Sequence, residues 1–91
     1  MQRYFFNVHD QNGLLLDPEG TACRDREAAR ETAIVFARSI LSEDLTKGFV
    51  DLNGRIEIVT ASGDVVDVVA FGECVLFIAE GQTRANSRCS A

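Results

Sequence analysis

The sequence predicts an α+β domain: an antiparallel sheet of two β-hairpins with one long α-helix packed on one face, in the order ββαββ, plus a C-terminal extension. Three observations carry this. Residues 3–9 and 55–60 alternate in polarity with the two-residue period of a half-buried strand. Residues 25–46 repeat apolar side chains every three or four positions, the period of a helix. Each strand run is followed by turn residues and a second extended run, which closes a hairpin.

In chain order, Tyr4, Phe6 and Val8 fall on one face of the first strand and Arg3, Phe5, Asn7 and His9 on the other. Asp10-Gln11-Asn12-Gly13 supplies a turn, and Leu14-Leu15-Leu16 folds back as the second arm. Asp17-Pro18-Glu19-Gly20 ends that arm as a type I turn, since Pro presets φ and Asp caps locally. Asp25 is the best helix N-cap, with Glu27 at the positive end of the helix dipole. From there Ala29, Ala33, Phe36, Ala37, Ile40, Leu41 and Leu45 form one apolar stripe to about Thr46, and Lys47-Gly48 stops the helix. Ile34 and Val35 lie off the centre of the stripe, which suggests contacts on more than one side.

Phe49–Leu52 reads as a short extended segment leading to a tight turn at Asn53-Gly54. Arg55–Thr60 places Ile56 and Ile58 opposite Glu57 and Val59, Ala61-Ser62-Gly63-Asp64 is a hairpin loop, and Val65–Phe71 returns. Asp67 points to Val66, Val68 and Ala70 as the inward residues. Val65, Val69 and Phe71 are equally apolar, so both faces of this strand are expected to be covered.

Ninety-one residues accommodate one small domain, and 46% apolar with 25% charged residues is the composition of an ordinary folded chain. A domain of this size buries enough surface to fold alone but has little room for a large internal substrate cavity. The boundaries read as 1–72 for the ββαββ domain, 73–80 for an apolar extension and 81–91 for a small, polar, mobile tail. Fourteen acids against nine bases give a net charge of -5, and the body to residue 80 carries -7 because Arg84 and Arg88 lie in the tail. An acidic body without a basic run predicts no nucleic-acid partner and no anionic membrane. No uncharged run exceeds six residues, too short for a membrane span or a signal peptide core. A cytoplasmic setting follows.

No chemical constellation emerges, so no catalytic residue, cofactor or metal is assigned. Cys23, Cys74 and Cys89 are odd in number and widely spaced, with a single His in the chain, so free thiols are expected and a zinc set is not. His9-Asp10, with Asp17 and Glu19 nearby, is the one place where an imidazole adjoins carboxylates. Adjacent strand residues face opposite sides, and a positioned nucleophile is missing. A calcium loop would need Gly at its sixth position, whereas in Asp10-Gln11-Asn12-Gly13 it is the fourth. Gly20, five residues before Asp25, is the only glycine just ahead of the helix, which does not make a phosphate loop. The helix arginines are balanced by acids and read as a solvated, salt-bridged face.

Cys74-Val75-Leu76-Phe77-Ile78-Ala79 lies between Glu73 and Glu80, and six uncharged, largely apolar residues are costly to leave in water. Either the segment packs on its own domain as a further strand or short helix, or Val75, Leu76, Phe77 and Ile78 form an interface with another copy or a different protein.

Arg3-Tyr4-Phe5-Phe6, the Asp10 and Gly13 turn, Asp17-x-Glu19-Gly20, Asp25, Ala28-Ala29-Arg30 with Ala33, Asp51-Leu52-x-Gly54-Arg55 and Gly63–Phe71 resemble an uncharacterised family of short alphaproteobacterial proteins, over residues 2–72. The resemblance implies the same fold and a bacterial cytoplasmic setting, and no catalytic residues. Two positions depart from it, Asn7 where the family often has His and Ala70 where it often has Pro. The layout from Tyr4 to Leu45 is also similar to the N-terminal module of HicB-type antitoxins, which bind a small toxin and commonly append a DNA-binding segment not visible here. The expected function is a non-catalytic protein-interaction module acting as a homodimer. An antitoxin-like or regulatory module binding a different small protein is the alternative, and a small-ligand-binding protein or hydrolase the third class.

Overall fold

The computed structural model of the chain describes residues 1–76 and Ile78. Its elements are β1 (Gln2–Asp10), β2 (Gly13–Leu15), β3 (Thr21–Cys23), α1 (Arg26–Thr46), β4 (Arg55–Thr60), β5 (Val65–Ala70) and a 3₁₀ turn at Phe71–Glu73. The sheet is antiparallel in the order β2-β1-β4-β5, with β3 also paired to β1. The α+β class and the single covering helix are as the sequence predicts, but the sheet has five strands where two hairpins would give four. Nine residues of β1 are long enough to pair twice along one edge, Val8–Asp10 with β2 and Gln2–Tyr4 with β3. The segment after the Asp17–Gly20 turn therefore returns to the sheet before the helix begins.

Asp17 closes the gap between those two pairings. Its carboxylate accepts the backbone N–H of Phe6 at 3.1 Å, of Gly20 at 3.0 Å and of Glu19 at 3.2 Å, while its own N–H donates to Asn7 Oδ1 at 2.9 Å. Arg3 adds donations to the carbonyls of Glu19 and Gly20. Gly20 has φ +73, and a Cβ there would lie 2.8 Å from the Tyr4 carbonyl oxygen, so the turn needs glycine. β2 ends at Leu15, two residues before Asp17, and Leu16 lies outside the strand.

Helix α1 starts and stops as its caps dictate. The Asp25 side chain accepts the Ala28 N–H at 2.8 Å, and Lys47 is the C-cap, followed by Gly48 at φ +97. Ala29, Ala33, Ala37 and Leu41 are buried on the sheet, and small alanines let the helix lie close to Tyr4, Phe6, Ile56, Ile58 and Val69. Phe36 stands at the margin, edge-on to Phe6 with ring centroids 5.3 Å apart, while Val35 and Leu45 are exposed. Ile34 packs against the core.

Two expectations for the C-terminal half are corrected. No tight turn forms at Asn53-Gly54, and Phe49–Leu52 joins no strand of the sheet. Gly54 is required for space instead: a Cβ there would come within 2.5 Å of the Phe71 ring, whose residue donates its N–H to the Gly54 carbonyl at 2.9 Å. On β5 the inward residues are Asp67 and Val69, paired with the buried Ile58 and Ile56, while Val68 and Ala70 face away. Asp67 is tolerated on the helix side because Nη1 of Arg30 on α1 donates to both oxygens of its carboxylate, at 3.0 and 3.1 Å. A register irregularity between Ile58 and Val59 leaves Val66 without a paired partner, and this shifts the facing that strict alternation predicted. The face of β5 away from the helix, bearing Val65, Val68 and Ala70, is exposed rather than covered.

Candidate functional site

Three surface regions gather the residues that chemistry or contact could use. At one end of the sheet an open depression of about 600 Å³ is lined by His9, Asp10, Leu14, Asp51, Asn53 and Arg55 among others. His9 does not pair with Asp10. Its Nε2 lies 3.0 Å from Oε1 of Glu57 across the β1–β4 ladder, outside hydrogen-bond geometry, while Asp10 accepts the Asn12 N–H within its own turn. Asp51 likewise accepts the Asn53 N–H at 2.9 Å. Asp10 and Asp51 each give one oxygen to a backbone N–H of their own turn, and the remaining pair, an imidazole and one glutamate, has no nucleophile between them. Sequence reasoning missed the His9–Glu57 pair because it searched neighbours in the chain, and cross-strand register is what joins them.

The other acids of the first hairpin are structural too. Burial pushes the Asp17 carboxyl up, but the N–H groups of Gly20, Phe6 and Glu19 and the charge of Arg3 outweigh it and hold the group below its ordinary value of 3.8. Asp25 is also lowered, first by the Ala28 N–H. Beside this turn runs an open groove of about 410 Å³ lined by Phe6, Leu15, Leu16, Pro18 and Phe36 and bordered by Glu19. Among the described residues no group of three His, Cys, Asp or Glu is arranged to hold a metal ion. Cys23 and Cys74 are free and buried, and burial followed by the charge of Glu73 raises the Cys74 thiol against the opposing pull of Arg38 and Arg30.

The third region is the flank of α1 that faces β5. Arg26, Arg30 and Arg38 lie on it at four- and eight-residue spacing, and all three reach across. Arg26 Nη2 donates to the Val66 carbonyl at 2.8 Å and Arg38 Nε to the Cys74 carbonyl at 2.8 Å. Arg30 bridges Asp67 and Glu73, which raises its own pKa, chiefly through the Asp67 hydrogen bonds. The helix arginines are therefore directed contacts, and their spacing along one helix flank is the signal that could have found them. They hold the chain at Cys74, which lies in the core with Val75 packed against it. Beyond that anchor Leu76 is 83% and Ile78 86% exposed. Of the four candidate interface residues, Val75 is half-buried, Leu76 and Ile78 project, and Phe77 lies outside the described residues.

These features define a small α+β domain in which one helix lies across an antiparallel sheet and its arginines fasten the far strand. The chain belongs to the family described as a domain of unknown function, DUF6894, which it matches over residues 3–72. No curated protein and no solved structure matches it. The matched span stops short of Cys74 and Val75, so part of what packs this chain's core lies beyond it. No helix of the described residues is long and apolar enough to cross a membrane.

Proposed function

We propose that the chain is a cytoplasmic, non-catalytic protein-interaction module whose partner is a second copy of itself, joined through Val75, Leu76, Phe77 and Ile78. The observation that carries this reading is the exposure of Leu76 and Ile78, 83% and 86%, two residues and four residues after a buried Cys74 that Arg38 holds in place. Fully burying one such aliphatic side chain contributes about 1.5–3 kcal/mol. A symmetric dimer buries each of them twice.

The test is light scattering on a sizing column for the full chain and for the double variant Leu76→Glu, Ile78→Glu. The full chain is expected to elute as a dimer whose unfolding midpoint rises with protein concentration, and the variant as a folded monomer whose midpoint is independent of concentration, because the replaced side chains contribute to association and not to the monomer core. A full chain that is monomeric at every concentration, or a variant that remains dimeric, overturns the reading. Ending the chain at Gly72 would confuse the result, since that removes Cys74 and Val75 from the packing.

A further inference from the structure

Among the described residues, β5 is the longest strand at a sheet edge, with six residues against three each in β2 and β3. An uncovered edge presents a row of backbone N–H and C=O groups to any passing strand. In an antiparallel ladder the residues that bond inward alternate with those that bond outward. Phe71 donates its N–H to Gly54 on the β4 side, so Val69 also bonds inward and the groups of Val68 and Ala70 point out. Val66, skipped by the register irregularity, has its carbonyl free of the ladder.

Of the four outward groups of Val68 and Ala70, side chains engage the Val68 N–H and the Ala70 carbonyl, and a side chain also engages the Val66 carbonyl. The Val66 carbonyl accepts from Arg26 at 2.8 Å, the Val68 N–H donates to Asp67 Oδ1 at 2.8 Å, and the Ala70 carbonyl accepts from the Cys74 thiol at 3.3 Å. Asp67 is itself held by Arg30, which Glu73 braces from the other side. On the opposite side of the sheet the stretch of β1 between β2 and β3 is occupied in the same manner by Asp17 on the Phe6 N–H.

We infer that α1 and β5 together form a side-chain latch on the β5 edge, which disfavours addition of a strand from another chain to the sheet there while Arg26 and Asp67 are in place. This goes beyond the dimer proposed above, because it concerns a mode of association the native chain prevents. The closure is specific to backbone groups, so it depends on a donor at position 26 and an acceptor at position 67, whatever their charge.

The test compares the wild-type chain with two double variants, by sedimentation velocity and by a dye that reports β-assembly. In Arg26→Ala, Asp67→Ala both groups are released. In Arg26→Lys, Asp67→Asn a donor and an acceptor remain. The released variant is expected to assemble beyond the wild-type oligomer at a concentration roughly tenfold lower than wild type, as two backbone groups regain bonding capacity. The conservative variant should behave as wild type. A third chain adds Val68→Pro to the released variant, which removes the outward N–H and spares the inward ladder. It should abolish the extra assembly. Absence of assembly in the released variant overturns the inference. So does assembly that survives Val68→Pro, since it would then arise from partial unfolding and not from the edge. The wild-type oligomeric state, read separately, decides the dimer proposal.

Discussion

Asp17 shows how one residue can organise a whole hairpin region. Three backbone N–H groups converge on its carboxylate, so Asp17→Ala strands donors at a partly buried site and should lower unfolding free energy by about 2 kcal/mol in urea titration. Because the folded carboxyl titrates below its ordinary value of 3.8, the unfolded chain takes the proton first. Its contribution is therefore present above the ordinary carboxylate range and lost as pH falls through the folded value. Stability measured from pH 6 down to pH 3 should drop more steeply in wild type than in Asp17→Asn. If the two profiles run parallel, Asp17 does not have the role its geometry assigns. Gly54 is a second position where a single atom matters: Gly54→Ala sets a methyl against the Phe71 ring and should cost about 1–3 kcal/mol by the same titration.

The helix and β5 are joined by an ion pair that sequence periodicity treats as a conflict. Asp67 faces α1 opposite the buried Ile58, and Arg30 meets it with side chains 29% and 39% exposed respectively. Removing Arg30 leaves the Asp67 charge without its partner, and removing Asp67 leaves Arg30 with Glu73 alone, whereas removing both strands neither. Arg30→Ala and Asp67→Ala should each destabilise by about 1 kcal/mol, with the double variant destabilised by less than the sum. Additive losses in a double-mutant cycle would show that the pair does not couple the elements. The same flank controls Cys74. Burial and the Glu73 charge keep its thiol protonated, so alkylation followed by mass spectrometry should be on the order of a hundredfold slower in the folded chain than in urea.

At the scale of the whole molecule, the core does not end where the family match does. Cys74 is buried with Phe71 and Val69, and Arg38 fastens its carbonyl. A chain ending at Gly72 should unfold at lower urea than one ending at Val75, and equal midpoints would mean that these two residues add nothing to packing. Leu76 and Ile78 then stand outside a completed core, which is why introducing charge there should alter association without altering the fold of the monomer.

Local signals were enough for much of this protein. The Asp25 cap, the alanine-lined stripe and the Lys47-Gly48 stop determine the helix, and strict alternation determines which faces of β1 and β4 are buried, because each depends on residues within a turn or two of chain. The third strand was not legible, since Thr21–Cys23 has no periodicity of its own and becomes a strand only because β1 offers an unused edge. Nor was the facing of β5, where an aspartate normally marks the solvent side and here marks the helix side, since Arg30 lies thirty-seven residues away in the chain. The candidate site divides the same way. Its apolar run from Val75 to Ile78 was visible as composition, while the sorting of that run into an anchored half and a projecting half depends on Arg38, and the closure of β5 on Arg26 and Asp67. Sequence determines what adjacent residues prefer, and tertiary structure decides which distant groups meet to override or complete that preference.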